Sequence, residues 1–392
     1  MLSPLDLSRL EIALALAETS IGLSDPNPRV GCVIGRADGS ILGQGATQQA
    51  GGAHAEVMAL RAARAAGTDL RGATAWVTLE PCAHHGRTPP CCEALIAAGL
   101  SKVVVAIADP FPAVDGEGLR RLQAAGLEVQ LADGEIANAA RELNIGFFSR
   151  MERGRPWVRL KLAASLDGRT ALSSGVSQWI TGSEAQTDCH AWRRRAGAVL
   201  TGIGTVLADD PRLDVRHVPS ALQPLRVVAD SRLRLPPTAR LLTPPGRVLV
   251  ATACDDVERQ AVLERRGAEV LVCRRTDPTD ATDAAIDLPL LMQELAAREI
   301  NELHVEAGPM LSGALFDAGL VDELLLYLAP TLIGPGRGLV DIPALGALAE
   351  ARRLRFTDVR AIGADLRLVA RPLAQASDFL TALPPHGQGG TP

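Results

Sequence analysis

Short apolar runs of strand length alternate with helix-patterned segments along the chain, and this alternation constrains the fold more strongly than any other feature. A first helical segment ends near Gly22, and apolar runs such as RVGCVIG and KVVVAI follow it. We predict strands at 29–35, 41–46, 73–79, 102–107 and 128–131, and helices at 53–66, 91–98 and 118–125. Two strands followed by alternating helices and strands predict a largely parallel sheet with helices on its faces.

A polar stretch with a glycine and a proline, residues 150–156, interrupts this pattern. The alternation then resumes, with strands predicted at 157–162, 198–201, 226–230, 248–252, 269–273, 303–306, 323–329 and 366–370, and helices at 181–196, 256–266, 288–298 and 310–318. A chain of 392 residues is long enough for two to three domains. We therefore predict a first domain over 1–148, a linker over 149–155, a second α/β domain over 156–375 and a disordered tail over 376–392.

The composition excludes several classes of protein. A net charge of −5, with 4 Trp, 1 Tyr and 6 Phe, provides neither the basic surface nor the stacking platform of a nucleic-acid binder. No uncharged apolar run is long enough to span a membrane, and the acidic N-terminal segment predicts an amphipathic helix and not a signal peptide. The odd number of cysteines, seven, argues against a disulfide framework. We expect a cytoplasmic protein without nucleic-acid or membrane partners.

Three residues in the first half have the types and the placement of zinc ligands. His54 and Glu56 begin a predicted helix, where both side chains can reach a site over its N-terminal end. Cys82 follows a proline, and Cys91 begins another predicted helix, whose dipole favours a thiolate. One imidazole and two thiolates suit a tetrahedral Zn²⁺ with a fourth position open to water. Glu56, which is not a ligand, is placed to carry protons.

An alternative is a closed structural zinc site. Its fourth ligand would come from Cys92, His84 or His85. Such a site would leave Glu56 without a task, so we favour the open one. Asn27, between two prolines, could be only a turn residue.

The same residues resemble a known family. The zinc-dependent nucleobase deaminases have the pattern H-x-E … P-C-x-x-C, whereas eight residues separate Cys82 from Cys91 here. With that insert, and with the segment DPNPRVG at 25–31, the string TLEPCAHHGRTPPCC resembles the deaminase half of the bifunctional riboflavin-biosynthesis deaminase–reductases, in which the longer spacing is normal. The resemblance implies a cytidine-deaminase-like three-layer domain, with Asn27 and His84 contacting the substrate.

The second half has no G-x-G-x-x-G after a strand, so a Rossmann domain is not supported. Two weaker features suggest phosphate binding. The segment TGIGT at 201–205 follows a predicted strand, and the segment EAGPML at 306–311 ends a strand and opens a helix. Each could also be an ordinary tight turn between a strand and a helix.

Four segments of the second half resemble the reductase half of the same family, at 161–170, 177–181, 205–211 and 306–311. The resemblance implies a dihydrofolate-reductase-like α/β domain that uses NADPH. It implies that the residues facing NADPH are Ala163, Trp179, Thr205, Asp209, Gly308, Pro309, Met310 and Leu311. It implies that the residues facing the ribose phosphate are Ser177, Arg193, Leu213, Arg216 and Glu306. Ala307 stands where many members have glycine.

The chemistry of the reduction agrees with these residue types. A guanidinium fork binds phosphate well, which suits Arg193 and Arg216. Among the polar groups, Lys161, Asp209 and Glu306 are the ones that we expect to assist the sugar hydroxyls and the proton transfers. The resemblance also implies a homodimer or homotetramer.

The sequence therefore predicts two consecutive enzymes. The first would deaminate 2,5-diamino-6-ribosylamino-4(3H)-pyrimidinone 5′-phosphate, and the second would reduce the product with NADPH to its ribityl form. Two alternatives remain: a deaminase of tRNA or free cytidine with an inactive second domain, and a nucleotide-binding regulator with a structural zinc.

Overall fold

The structure, a computed structural model, describes residues 2–83, 90–111, 114, 116–275 and 285–373, and its first half is built on a five-stranded sheet. The strands are β1 Gly31–Gly35, β2 Ile41–Ala46, β3 Thr74–Val77, β4 Lys102–Val105 and β5 Glu128–Leu131. Their spatial order is β2-β1-β3-β4-β5. The prediction of a largely parallel sheet is wrong for this half, because β1 is antiparallel to both β2 and β3, and only β3, β4 and β5 run parallel. A short turn joins β1 to β2, and a connection of that length permits only a hairpin.

Helices cover both faces of this sheet. They are α1 Pro4–Glu18, α2 Ala55–Ala65, α3 Cys91–Ala97, α4 Glu117–Ala124, α5 Gly134–Leu143 and α6 Ile145–Arg153. A Cβ on Gly31 would lie 1.9 Å from the carbonyl oxygen of Ala13 in α1, and one on Gly45 would lie 2.4 Å from that of Ala55 in α2. Gly45 pairs with Cys32, whose side chain points to the face opposite that of Gly31. Helices α1 and α2 therefore lie on opposite faces, and the three-layer arrangement follows.

A nine-stranded sheet organises the second half, and a two-stranded ribbon accompanies it. The strands are β6 Trp157–Ser165, β7 Ala171–Leu172, β8 Ala198–Gly202, β9 Leu225–Ala229, β10 Val248–Thr252, β11 Ala268–Val272, β12 Glu302–Val305, β13 Glu323–Ala329, β14 Gly336–Arg337, β15 Leu354–Ile362 and β16 Asp365–Pro372. The order is β11-β10-β9-β8-β12-β6-β13-β16-β15, and β7 pairs with β14. The seven strands from β11 to β13 run parallel, and β16 and β15 add an antiparallel edge.

Over the described part of the second half, five helices accompany the sheet: α7 Ser183–Arg195, α8 Ile203–Asp209, α9 Val257–Glu264, α10 Leu288–Ala297 and α11 Pro309–Asp317. Strands β8 and β12 are neighbours in the sheet. The loops that lead from β8 to α8 and from β12 to α11 therefore meet at the carboxyl edge, where ligands of parallel sheets bind.

The connection between the halves is largely helical. Helix α6 extends through most of the stretch predicted as a linker, residues 149–155, and ends at Gly154 with φ +64°. The domain bounds 1–148, 149–155 and 156–375 remain predictions, and the predicted tail, 376–392, lies outside the described residues. The halves contact each other through Arg29, whose Nη1 lies 2.6 Å from the Glu302 carboxylate, and through Asn301, which donates to the Pro26 carbonyl at 2.9 Å.

Within the described ranges, we find no helix with the length and apolar character to cross a membrane.

Candidate active sites

The three predicted zinc ligands converge in the first half. His54 caps the N-terminus of α2, and Cys91 is the first residue of α3. The His54 Nδ1 atom lies 3.6 Å from Cys82 Sγ and 3.3 Å from Cys91 Sγ. A tetrahedral zinc with Zn–N near 2.0 Å and Zn–S near 2.3 Å separates N and S by about 3.5 Å. The geometry and the donor types both fit Zn²⁺.

The electrostatics around these ligands favour a thiolate. A hydrogen bond from the Cys91 thiol, together with the His54 ring, lowers the pKa of Cys82 to about 4. Cys92, considered as a fourth ligand, is fully buried in the apolar core and is absent from the group of converging donors among the described residues. His84 and His85 lie outside the described residues.

Glu56 stands in the first turn of α2 and is buried. Burial, followed by the neighbouring Cys82 charge, raises the pKa of its carboxyl to about 7. A carboxyl with that pKa can accept and donate a proton near neutral pH, as a proton carrier requires.

A cavity of about 330 Å³ opens over this group. Asn27, His54, Glu56 and Cys82 all line it, as the sequence predicts for a substrate pocket. Arg150 of α6 lines it as well. So does Glu299, which comes from the second half of the chain.

Glu80 is a functional neighbour that the sequence analysis missed, although it belongs to the quoted string TLEPC. Its carboxylate accepts backbone N–H groups of Asp109, Gly116, Gly118 and Leu119 at 2.9–3.3 Å. These hydrogen bonds hold Asp109 and the start of α4 beside Pro81 and Cys82. Its position next to a predicted ligand was the only signal available.

A second cavity, of about 440 Å³, lies at the carboxyl edge of the large sheet. It collects twelve of the fourteen residues predicted for the reductase site: Lys161, Ala163, Ser177, Trp179, Arg193, Thr205, Asp209, Leu213, Arg216, Glu306, Gly308 and Pro309. Met310 and Leu311 are not part of the lining. The Met310 side chain is 78% exposed, and Leu311 packs against the core. Gly308 is the N-cap of α11 and has no side chain that could accept a hydrogen bond. The backbone N–H groups of Met310 and Leu311, in the first turn of α11, therefore receive no side-chain cap from it.

The strongest interaction in this cavity joins Glu306 and Arg193. Both carboxylate oxygens contact the guanidinium: Oε1 pairs with Nε, and Oε2 lies 2.9 Å from Nη2. Burial opposes ionisation, yet the Arg193 charge holds the pKa of Glu306 well below its usual range. Glu306 is therefore a carboxylate that accepts hydrogen bonds, and this geometry favours a role in orienting substrate over a role as proton donor.

Arg193, predicted to bind phosphate, has its third nitrogen engaged too, because Nη1 donates to the Asp214 carbonyl at 3.0 Å. Arg216 is more available, since its side chain is 39% exposed and contacts Asp214 through Nη1 at 3.0 Å. Lys161 Nζ lies 5.9 Å from the centre of the Tyr327 ring. These cations give the cavity the positive charge that a phosphate ester requires.

Gly308 keeps the space beside α8 open. A Cβ built on Gly308 would lie 3.8 Å from Thr205 Oγ1, so a side chain at position 308 would occupy space that the glycine leaves open in front of α8. Asp209 closes the other end of α8, with its Oδ1 atom 3.5 Å from Ser177 Oγ. A narrow, glycine-lined cradle at a helix N-terminus fits the pyrophosphate of a dinucleotide.

Comparisons with known proteins identify the family of each half. Residues 5–107 match the family model described as the cytidine and deoxycytidylate deaminase zinc-binding region, and residues 156–368 match that of the RibD C-terminal domain. The riboflavin biosynthesis protein RibD of Escherichia coli is 47% identical over 369 residues, covering 91% of this chain and 96% of that protein.

Solved structures give the same result over the whole chain. RibD of Acinetobacter baumannii matches with a TM-score of 0.83 at 42% identity, covering 94% of this chain and 99% of that one. The Thermotoga maritima diaminohydroxyphosphoribosylaminopyrimidine deaminase/5-amino-6-(5-phosphoribosylamino)uracil reductase matches with a TM-score of 0.82 at 31% identity and the same coverage. The predicted pair of fold classes, cytidine-deaminase-like followed by dihydrofolate-reductase-like, is confirmed. With a zinc-binding deaminase half and a reductase half in one polypeptide, this chain belongs to the RibD family of riboflavin biosynthesis enzymes.

Proposed function

We propose that the first half deaminates 2,5-diamino-6-ribosylamino-4(3H)-pyrimidinone 5′-phosphate and that the second half reduces the resulting 5-amino-6-(5-phosphoribosylamino)uracil with NADPH. The observation that carries this proposal is the convergence of His54, Cys82 and Cys91 beside a buried Glu56. The reaction names printed for the Thermotoga maritima relative support the choice of substrates.

In the deamination, His54, Cys82 and Cys91 would hold the zinc ion, which when bound acidifies a water molecule. Glu56 would accept a proton from the water whose hydroxyl adds to the ring carbon and pass it to the amino group, which leaves as ammonia. Asn27 orients the pyrimidine from the wall of the cavity. We propose the same contact role for His84.

In the reduction, the coenzyme supplies the hydride, and the protein orients it. We propose that Ala163, Trp179, Thr205, Asp209 and the residues 308–311 face NADPH. Gly308 leaves room for its pyrophosphate, and the first turn of α11 supplies backbone N–H groups.

The ribosyl phosphate lies against the other wall of the same cavity. Ser177, Arg193, Leu213 and Arg216 bind it in this proposal, with the more exposed Arg216 directed to the phosphate and Arg193, held by Glu306 and the Asp214 carbonyl, contributing its charge. Lys161, Asp209 and Glu306 contact the sugar hydroxyls. The lowered pKa of Glu306 leaves that carboxylate without a proton to donate. We therefore assign proton donation to Lys161, which lines the same cavity.

We also propose a cytoplasmic location and assembly as a homodimer or homotetramer. Sedimentation of the purified protein tests the assembly, and a monomer at micromolar concentration would contradict it.

A single assay tests the two activities and their order. The purified enzyme receives NADPH and the diaminopyrimidine ribotide as the only pyrimidine, with and without prior removal of zinc. We expect NADPH oxidation that depends on zinc. Ammonia release without NADPH oxidation would indicate a deaminase with an inactive second half. Neither signal from folded, zinc-loaded protein would favour the nucleotide-binding regulator.

A further inference from the structure

Three polar residues occur at every second position along β12 and its carboxyl end: Glu302, His304 and Glu306. The alternating residues Leu303 and Val305 are fully buried in the apolar core. The polar face lies against α7. Its Arg195 contacts Glu302 at 2.8 Å, and its Arg193 contacts Glu306. His304 stands between these two ion pairs and has been given no role so far.

The contacts of His304 define its protonation. The ring is fully buried, and its Nε2 lies 3.4 Å from Glu306 Oε1. Burial lowers the pKa of His304, so the imidazole is neutral and carries one proton. An ionised carboxylate only accepts hydrogen bonds, so the Glu306 contact favours the tautomer with the proton on Nε2 over the one in which the Cys189 thiol would donate to it. The other nitrogen, Nδ1, then has no hydrogen-bond partner among the residues that the structure describes.

Packing does not account for a histidine at this position. An acceptor that is buried without a donor destabilises the folded chain, whereas an aliphatic side chain would carry no such penalty. Among the described residues, the polar groups within reach of the His304 Nε2 atom are the Glu306 carboxylate at 3.4 Å and the Cys189 thiol at 4.0 Å.

The same neighbourhood contains the donor types of a metal site, because Cys189 Sγ lies 4.0 Å from both His304 Nε2 and Glu306 Oε1. Arg193 already occupies both oxygens of Glu306, and its positive charge opposes a cation there. Burial also raises the pKa of Cys189 to about 11, which disfavours the thiolate ligand. We therefore do not interpret the cluster as a metal site.

We propose that His304 is a positioning residue of the reductase site, which uses its Nε2–H group to hold the Glu306 carboxylate in register with Arg193. With Oε1 held by two donors, Glu306 cannot rotate away from the cavity, and its free lone pairs point to the substrate. The inference rests on the proposed contact between Glu306 and the sugar.

The test compares His304→Leu, His304→Gln and the unchanged protein in steady-state reduction. We expect His304→Leu to lower kcat/KM for the ribotide about tenfold, as is usual for partners that orient a binding group. The KM for NADPH and the deamination rate should not change. His304→Gln retains an N–H donor and should recover most of the loss. The melting temperature of His304→Leu should stay level or rise, because the unpaired nitrogen is gone.

Two controls separate positioning from a merely structural role. Val305→Ala, on the opposite face of the same strand, should lower the melting temperature and leave kcat/KM for reduction unchanged. In a Glu306→Gln background, His304→Leu should have no further effect. A full tenfold additional loss in that background, or wild-type reduction by His304→Leu, would overturn the proposal.

The ¹⁵N shifts of the ring give a readout that needs no activity. We expect the Nε2–H tautomer for His304 in the unchanged full-length protein, and an Nδ1–H tautomer would overturn the proposal even if the leucine variant fails to fold. Absence of any reduction by the unchanged protein, together with the Nε2–H tautomer, would contradict the proposed function and not the contact.

Discussion

Burial and local charge decide what the two important glutamates can do. Glu56 and Glu306 are both buried carboxyl groups, yet their pKa values move in opposite directions. Glu56 has a thiolate as its neighbour, and its pKa rises to about 7. Glu306 has the Arg193 guanidinium, and its pKa falls well below the usual range. The first can therefore carry a proton near neutral pH, and the second can serve as a permanent negative charge.

Replacement of Glu56 should abolish proton transfer in the deamination without lowering zinc binding. Glu56→Gln keeps the size of the side chain and leaves the three ligands untouched, so we expect full zinc content. Deamination should fall by about 10²–10⁴-fold, because the amide cannot carry the proton. Zinc analysis and ammonia release measure the two effects. The same variant, supplied with the deaminated ribotide, should oxidise NADPH at the wild-type rate, and a variant that still deaminates would exclude Glu56 as the proton carrier.

At the scale of secondary-structure elements, the sequence pattern was sufficient wherever one face of an element is buried. The predictions for β2, β5, β10 and β13 match the observed bounds. Strand β15 was missed, because most of its residues are exposed and its sequence lacks the alternation that marks a half-buried strand. Most of α6 beyond its apolar first turn was assigned to a linker, since the segment RMERGR is polar, although it is helical to Arg153.

The residues of the candidate sites were likewise predictable only where the sequence carries a local pattern. Motif strings located the three converging donors, His54, Cys82 and Cys91, and most of the residues that line the second cavity, since those residues lie beside turns with recognisable composition. Glu299 and His304 lie outside those strings, and Glu80 lies inside one but is not one of the His and Cys residues that suggest a zinc site. The roles of Glu80 and Glu299 come from contacts with segments distant in the chain, and that of His304 comes from its burial beside Glu306.

The loop between β12 and α11 offers a test of coenzyme placement. Gly308 has an ordinary helix N-cap backbone, with φ −72°, and an added Cβ would make only a normal contact at 3.8 Å. Gly308→Ala should therefore fold normally and keep the wild-type melting temperature. Its methyl group enters the space assigned to the pyrophosphate, so we expect the KM for NADPH to rise about tenfold, a loss of about 1.4 kcal/mol in binding. An unchanged KM would move the coenzyme away from this loop.

At Gly45, in contrast to Gly308, the fold has no room for an added methyl group. Its added Cβ would lie 2.4 Å from the carbonyl oxygen of Ala55, between the ligand His54 and Glu56 on α2. Gly45→Ala should displace α2 and destabilise the fold by about 1–3 kcal/mol. We expect lower zinc content and slower deamination, measured alongside thermal unfolding. Normal zinc content at wild-type stability would show that α2 can shift without disturbing the ligands.

At the scale of the whole molecule, one buried carboxylate joins the two halves. The Glu302 carboxylate accepts hydrogen bonds from Arg29 of the first half at 2.6 Å and from Arg159 and Arg195 of the second half at 2.8 Å each. Burial would raise the pKa of Glu302, but the charges of Arg195, Arg29 and Arg159 together hold it well below its usual range. Such a cluster is sensitive to the loss of one partner, because the remaining charges stay buried.

Glu302→Gln should therefore destabilise the protein by about 3–5 kcal/mol in urea unfolding at pH 7. The carboxylate of the unchanged protein contributes stability above its unfolded pKa of about 4.3, and this contribution is lost as the pH falls from there toward the folded value. The variant should accordingly show a flatter pH dependence of stability below about pH 4.3.

An exposed pair is the matched control for this prediction. Asp317→Asn removes the partner of Arg352 at the surface, where both side chains are about 40% exposed, and should change stability by less than about 1 kcal/mol. Equal losses of stability in Glu302→Gln and Asp317→Asn would show that burial of the Glu302 cluster does not increase its contribution to stability.

The wall that Glu299 adds to the deaminase cavity has a consequence for how such a chain can evolve. Glu299 belongs to the reductase half and adopts a left-handed backbone, with φ +61°. Next to it, Asn301 accepts the Nε–H of Arg150, which lines the same cavity from α6. A mutation selected for better reduction that shifts this corner also reshapes the pocket of the other enzyme. The deaminase pocket therefore depends on residues of both halves, and the first half expressed alone would lack the wall that Glu299 supplies.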